Sequence, residues 1–235
     1  MEPELSIVLI AHNEEQRIEQ VVRDYHEKIV AKLPSSELIV CEDGSQDRTP
    51  IILKKLRNEL NIRVYSSEKR KGYLVAARDA LMKARGKMIF FSDSDGEHDP
   101  SDFWKLYDMR ADADLISGSR SVSRRSLSRR MMSSGFSAMV RAFFGASGID
   151  DYNSGFKLMS REVRDRIVPK VKFLKYGFST ELVIRCLDCG FKVKGVPISY
   201  EQRKIKGRDF DLLKLPEVVI VQTLGIARLK SDLKS

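Results

Sequence analysis

The chain is poor in cysteine, with three residues in 235. So few cannot close a disulfide framework, which excludes a stapled secreted scaffold and predicts a reducing compartment. Cys186 and Cys189 do form a C-x-x-C, but leucine and isoleucine neighbours at helical spacing assign them to a core rather than to a metal or redox pair. Long apolar runs are missing too. The longest late one, Val218 to Ala227, contains Gln222 and falls short of the ~20 residues that span a bilayer. The chain is therefore not expected to cross a membrane by itself. No signal-peptide pattern precedes the first strand-like run, since the amino terminus reads Met-Glu-Pro-Glu. Internal repeats and clear linkers are also lacking. The simplest organisation is one domain over residues 1–210 with an amphipathic, basic tail over 211–235.

Acidic residues are absent from one long stretch. From Leu115 to Ile149 there is none, while Arg120, Arg124, Arg125, Arg129, Arg130 and Arg141 gather among serines. Met131, Met132, Phe136, Met139, Val140, Phe143 and Phe144 fall near helical spacing in the same stretch. Apolar bulk beside arginine with no counter-charge reads first as an amphipathic element, residues 120–148, on an anionic membrane surface. A serine–arginine tract for nucleic acid fits the charges but leaves the Phe/Met face without a role. A helical hairpin of the core with a solvated basic edge is the plainest alternative. The net charge of +9 and pI near 9.4 point to an anionic partner in any case.

Elsewhere the pattern is regular. Leu5–Ala11, Glu37–Cys41, Ile62–Tyr65, Met88–Phe91 and Ala113–Ser117 are short apolar runs of the kind that make strands buried on both faces. Between them, Ile18, Val21, Val22, Tyr25 and Ile29 recur at helical spacing, Thr49-Pro50 opens a second helix with Thr49 as its cap, and Gly72 to Ala84 forms a third. Strand alternating with helix predicts an α/β fold: a Rossmann-like, mostly parallel sheet with helices on both faces. In the second half, helices are expected from Ser160 and over Phe178–Asp188, a strand within Phe191–Tyr200, and a last amphipathic stretch over Asp211–Leu229.

The Met88–Phe91 run ends in Asp93, Asp95, Glu97 and Asp99, with His98 among them. In extended chain, residues i and i+2 point the same way, so Asp93 and Asp95 converge beyond the strand's carboxyl end, where open α/β sheets place their ligands. Two such carboxylates repel unless a cation sits between them, and a hard divalent ion carrying a phosphate is the usual solution. An acidic turn capping the next helix is the plainer alternative, and it suits Asp99-Pro100 well. Glu42 and Asp43, at another strand end, are placed to accept hydrogen bonds from a base or ribose, or form an ordinary Asp-Gly turn.

Four motifs occur in order: Ala11-His12-Asn13-Glu14, Glu42-Asp43-Gly44-Ser45-Gln46-Asp47-Arg48-Thr49, Asp93-Ser94-Asp95 and Asp151-Tyr152-Asn153-Ser154-Gly155-Phe156. Together they resemble family 2 glycosyltransferases of the GT-A fold over residues 5–210, most nearly the dolichyl-phosphate mannose synthase branch. The resemblance implies an inverting transfer of a hexose from a GDP- or UDP-sugar to a polyprenyl phosphate at the cytoplasmic membrane face. A soluble saccharide acceptor is the alternative. It further implies Mg²⁺ or Mn²⁺ held by Asp93 and Asp95, with Glu97 as a third contact where the branch usually has Gln. Ala11, Asn13, Glu14, Glu42, Asp43, Ser45 and Ser94 are implied for the donor. Arg120 and Arg203 are implied for phosphates, and Asp95, Asp151 and Arg120 form the implied catalytic set. The loop before the third helix departs from the pattern, reduced here to Lys71-Gly72-Tyr73-Leu74. A lipid phosphate is largely ionised at neutral pH and needs little help from a base, so Asp151 is expected to orient rather than deprotonate. The apolar carboxyl-terminal stretch is expected to meet either a membrane or a second copy of the chain.

Overall fold

The structure is a computed structural model that describes residues 2–120, 140–141, 144, 149–201 and 215–234. Its first half alternates strand and helix: β1 (Leu5–Ala11), α1 (Ile18–Lys28), β2 (Ser36–Glu42), α2 (Thr49–Leu60), β3 (Arg63–Ser66), α3 (Tyr73–Leu81), β4 (Met88–Asp93), α4 (Phe103–Asp108) and β5 (Leu115–Arg120). After the segment beyond Arg120 come β6 (Lys157–Ser160), α5 (Arg161–Ile167), α6 (Phe178–Asp188), β7 (Val193–Ile198) and α7 (Leu215–Asp232).

The described strands form one seven-stranded sheet in the order β3-β2-β1-β4-β6-β5-β7. All neighbours are parallel except β6, which runs antiparallel to both β4 and β5. The mostly parallel, doubly covered α/β sheet expected from the apolar strands is present. β1 shows why its sequence lacks polar alternation. Every residue from Leu5 to Ala11 is buried, with Leu5, Ile7, Leu9 and Ala11 in one core and Val8 and Ile10 in the other. Helices α1, α2 and α4 close the first core through Ile18, Leu53 and Phe103. Helices α3, α5, α6 and α7 close the second through Ala77, Val163, Leu182 and Leu229. A strand enclosed on both faces is apolar except where a polar side chain is bonded, as Ser6 is to Glu37 at 2.6 Å.

Three local expectations need correction. Thr49 does not cap α2; its hydroxyl accepts from the Glu14 amide at 2.9 Å, tying the helix start to the loop after β1. Val140 lies in the second core and Phe144 packs against it, while Arg141 is exposed. Those two apolar side chains therefore face inward rather than toward a membrane, and the remainder of the 120–148 element beyond Arg120 lies mainly outside the described residues. Helix α7 is also more than a tail. Ile226 and Leu229 belong to the core, Asp232 pairs with Arg185 at 2.8 Å, and Val219, Ile220 and Leu224 stay exposed on the other side. Among the described residues no helix is long and apolar enough to cross a membrane.

Candidate active site

The carboxyl ends of β1, β2 and β4 lie level. Ala11 sits opposite Glu42, and Ile10 opposite Asp93. The loops leaving these strands enclose a cleft of about 250 Å³ lined by Ala11, His12, Glu14, Asp43, Arg70, Tyr73, Asp93, Ser94 and Asp95, among others. The crevice lies at the carboxyl ends of the parallel strands, where open α/β sheets place their ligands, and the loops that run from β1, β2 and β4 to α1, α2 and α4 form its rim.

The floor is built by interlocking loops. Asn13 has a left-handed backbone (φ 55°) that turns the chain sharply after β1. Its amide donates to Ser45 Oγ at 3.0 Å, and its side-chain oxygen accepts from the Gln46 amide at 2.9 Å. His12 Nδ1 meets the Asp43 carbonyl at 2.9 Å. Asn13 and Ser45 thus hold the two loops together and do not line the cleft, whereas Ala11 and Glu14 do. Glu42 is buried and accepts from the Ser45 amide. Asp43 accepts from the Lys71 and Gly72 amides at 2.8 and 3.0 Å. The shortened loop before α3 is thereby clamped by a carboxylate that the motif assigned to the nucleotide. Gly44 (φ +64°) closes the arrangement, since a Cβ there would overlap the Arg70 backbone amide.

Asp93 and Asp95 come to the cleft together, as the i, i+2 argument requires. Asp93 accepts from the Tyr73 hydroxyl at 2.8 Å, and Asp95 from the Glu97 amide at 3.0 Å. Ser94, between them, points away and donates to the Ile10 carbonyl at 2.7 Å. Burial, and then the Asp93 and Glu97 charges, push the Asp95 carboxyl up to about 7. Burial also raises Asp93, partly offset by the Tyr73 hydroxyl and Arg120. The Tyr73 phenol is pushed up in turn by desolvation of its hydroxyl end and by Asp93. Two adjacent carboxylates in this condition favour either a proton or a cation. Their all-oxygen, half-buried donor set suits a hard divalent ion. Glu97, implied as a third contact, has its own partner in this structure. Its carboxylate accepts from the Tyr200 hydroxyl at 2.5 Å, and among the described residues no three carboxylates, imidazoles or thiolates converge on one point.

Facing this pair are Arg120, at the end of β5, and Asp151. The guanidinium donates through Nε and Nη2 to the two Asp151 oxygens at 2.7 and 3.0 Å, a bidentate pair. Desolvation works to lower the Arg120 pKa, but the bond and charge of Asp151 outweigh it and hold the guanidinium above its ordinary value. With both oxygens accepting from Arg120, Asp151 orients that arginine. Gly155 brings the 151–156 loop in close: a Cβ there would overlap the Asp93 carboxylate. Asp99 caps the next turn, accepting from the Ser101 amide at 2.9 Å, and the His98 ring packs between Phe156 and Tyr200. Arg203 lies outside the described residues.

Sequence reasoning missed Arg70, Tyr73, Lys157 and Tyr200. Lys157 is wholly buried, donates to Ser117 Oγ at 2.6 Å, and is lowered by desolvation to about 8, with Asp151 opposing the shift. A lysine inside the apolar run Phe156–Met159 was a visible signal, because an unneeded buried charge is rarely kept. Tyr73 gave no such signal.

The profile of the family described as "Glycosyl transferase family 2" matches residues 6–168, more than half of the chain. The chain belongs to that family. Glycosyltransferase AglD of Haloferax volcanii is 33% identical over 85% of this chain and 33% of its own length. The human dolichyl-phosphate beta-glucosyltransferase is 29% identical over 87% of this chain and 68% of its length. A Haloferax dolichyl-phosphate hexose transferase is 28% identical over 85% and 84%. The chain thus spans a third of the AglD protein and about two thirds of the human enzyme. The last two carry glucosyl and hexose-transferase names, so the likeness extends to dolichyl-phosphate hexosyltransferases without singling out a mannose branch. Glucosyl-3-phosphoglycerate synthase from Mycobacterium tuberculosis, solved with Mn²⁺, UDP-glucose and phosphoglyceric acid, shares the fold at TM-score 0.72 and 23% identity, over 96% of this chain and 80% of that one. A Pyrobaculum calidifontis mannosyltransferase, solved with GDP-Man and Mn²⁺, gives 0.71 and 16%, over 97% and 65%. The family and the α/β architecture are those of a glycosyltransferase.

Proposed function

We propose that this glycosyltransferase moves a hexose from a nucleoside-diphosphate sugar to an acceptor that carries a phosphate, using a divalent metal ion. The carrying observation is the Asp93–Asp95 pair lining the cleft with Arg120, held bidentately by Asp151, close enough for its charge to act on Asp93. Asp93 and Asp95 would hold Mg²⁺ or Mn²⁺, which supplies neutralisation of the leaving diphosphate. Two carboxylates are enough, because magnesium-type sites are commonly completed by substrate phosphates and water. Ala11, Glu14 and Arg70 line the donor end of the cleft, with Asp43 holding the 71–72 turn beside them. Arg120 takes the acceptor phosphate, and Arg203, carried over from the family pattern, would add a second cation. Such an acceptor is already largely anionic at neutral pH, so no strong base is required and Asp151 acts through Arg120.

Two acceptor sources share this chemistry. The phosphoglyceric acid bound by the Mycobacterium fold neighbour favours a soluble acceptor. The dolichyl-phosphate relatives and the exposed Val219, Ile220 and Leu224 favour a polyprenyl phosphate, with the enzyme resting on the cytoplasmic face of a membrane. The test is a transfer assay with GDP- and UDP-hexoses against farnesyl phosphate and phosphoglyceric acid, each with Mn²⁺ or EDTA. Transfer to one acceptor that EDTA abolishes and Asp93→Ala removes is the expected result. Full activity in a folded Asp93→Ala protein overturns the metal assignment. Transfer only to the soluble acceptor, without binding to anionic vesicles, overturns the lipid arm.

A further inference from the structure

The acidic loop after β4 and the Arg120–Asp151 pair meet at one side chain, Tyr200. It lies just beyond β7 and is 4% exposed. Its hydroxyl donates to Glu97 Oε2 at 2.5 Å, a short bond of the charge-assisted kind. The backbones are joined as well: His98 and Tyr200 form an antiparallel bridge, and the Glu201 amide donates to the Glu97 carbonyl at 2.9 Å. The other face of the same residue serves the opposite wall, where the Arg120 guanidinium carbon lies 5.3 Å from the ring centroid. Arg120 is therefore fixed twice, by the Asp151 carboxylate and by an aromatic face.

We propose that Tyr200 is a positioning residue for both walls of the site: its hydroxyl holds Glu97 back from the ion bound by Asp93 and Asp95, and its ring seats Arg120 for the acceptor phosphate. The proposal rests on the metal and acceptor roles given above. Glu97 is near enough for its charge to raise both Asp93 and Asp95, yet it joins no three-ligand cluster among the described residues. A third carboxylate on the ion would tighten it and, with it, the product diphosphate. Held by Tyr200, the ion keeps open positions for the donor.

The design separates the two ends of the side chain. Tyr200→Phe removes the hydroxyl and keeps the ring, whereas Tyr200→Leu removes both. Mn²⁺ binding to the full chain is measured by electron paramagnetic resonance of the free ion. Acceptor KM is measured with farnesyl phosphate and phosphoglyceric acid. Tyr200→Phe is expected to tighten Mn²⁺ about tenfold, the size of one hydrogen bond to a charged group, while leaving acceptor KM unchanged. Adding Glu97→Gln to Tyr200→Phe returns Mn²⁺ affinity to the wild-type value. Tyr200→Leu raises acceptor KM as well. A merely structural tyrosine would loosen Mn²⁺ when altered, so weaker or unchanged binding in folded Tyr200→Phe overturns the proposal. An equal rise in acceptor KM in the two single variants does the same. If the wild type binds no Mn²⁺, with or without UDP or GDP, the metal reading beneath the proposal falls first.

Discussion

Replacing Asp95 by Asn should make the metal-free protein more stable while abolishing its activity. The Asp95 carboxyl rises from 3.8 to about 7, first through burial and then through the Asp93 and Glu97 charges. Such a rise corresponds to about 4 kcal/mol against the charged form. Solvent and counter-ions around a half-buried group reduce the usable part to about 1–2 kcal/mol. The sign follows from linkage. Below about pH 3.8 the carboxyl is protonated in both the folded and the unfolded chain, so it costs nothing. Between there and about 7 the unfolded chain releases the proton and the folded one retains it, so the penalty grows with pH and is complete above 7. Asn has no charge to suppress, and its side-chain oxygen can still accept from the Glu97 amide. In EDTA at pH 8, Asp95→Asn is therefore expected to melt about 2–8 °C above the wild type, given about 2–4 °C per kcal/mol for a chain of this size. The difference should shrink toward zero as pH falls to 4. Saturating Mn²⁺ should reverse it, because the ion supplies the missing counter-charge to wild type alone. Differential scanning calorimetry across pH, with and without Mn²⁺, makes the measurement. An Asn variant no more stable than wild type at pH 8 in EDTA would refute the reasoning.

Other outcomes follow from single contacts. Gly155→Ala places a methyl against the Asp93 carboxylate, and displacing that group should cost about a hundredfold in kcat with little loss of stability, measured by transfer kinetics and thermal melting. Asp43→Asn replaces one of the two oxygens that accept from the Lys71 and Gly72 amides by a donating NH2; stability should fall by about 1–3 kcal/mol and donor KM should rise, as read by urea unfolding and donor titration. Arg120→Lys keeps the charge but loses the fork to Asp151, so acceptor KM should rise at least tenfold while Mn²⁺ affinity stays unchanged.

Much of the site was legible because it depends on short-range geometry. Asp93 and Asp95 had to share a direction once Met88–Phe91 was read as a strand, since side chains alternate with period two. Level endings of β1, β2 and β4 were legible in part, from apolar runs that each stopped at a polar cluster. Glu42 and Asp43 were found at the right strand end, but their partners were not. That Asp43 clamps the 71–72 turn depends on a loop almost thirty residues away. Glu97 is a similar case: the resemblance implied it as a third contact to the ion, and its partner Tyr200, about a hundred residues later, could not be read from the sequence. Val140 and Phe144 had the spacing of a surface-seeking face, yet helical periodicity cannot say whether an apolar stripe meets lipid or the protein's own core.

The residues alone determined the architecture and the chemistry on offer. Strands with near-continuous apolar runs require cover on both faces, and carboxylates at their ends require a cation or a proton. Those requirements are local, set by the pleat and by charge repulsion. Tertiary structure alone decided which groups share the work: Asp151 with Arg120, Tyr73 with Asp93, Lys157 with Ser117, and Tyr200 with both walls at once. Such pairs join distant stretches of chain through the order in which strands enter the sheet, and no spacing along the sequence encodes that order.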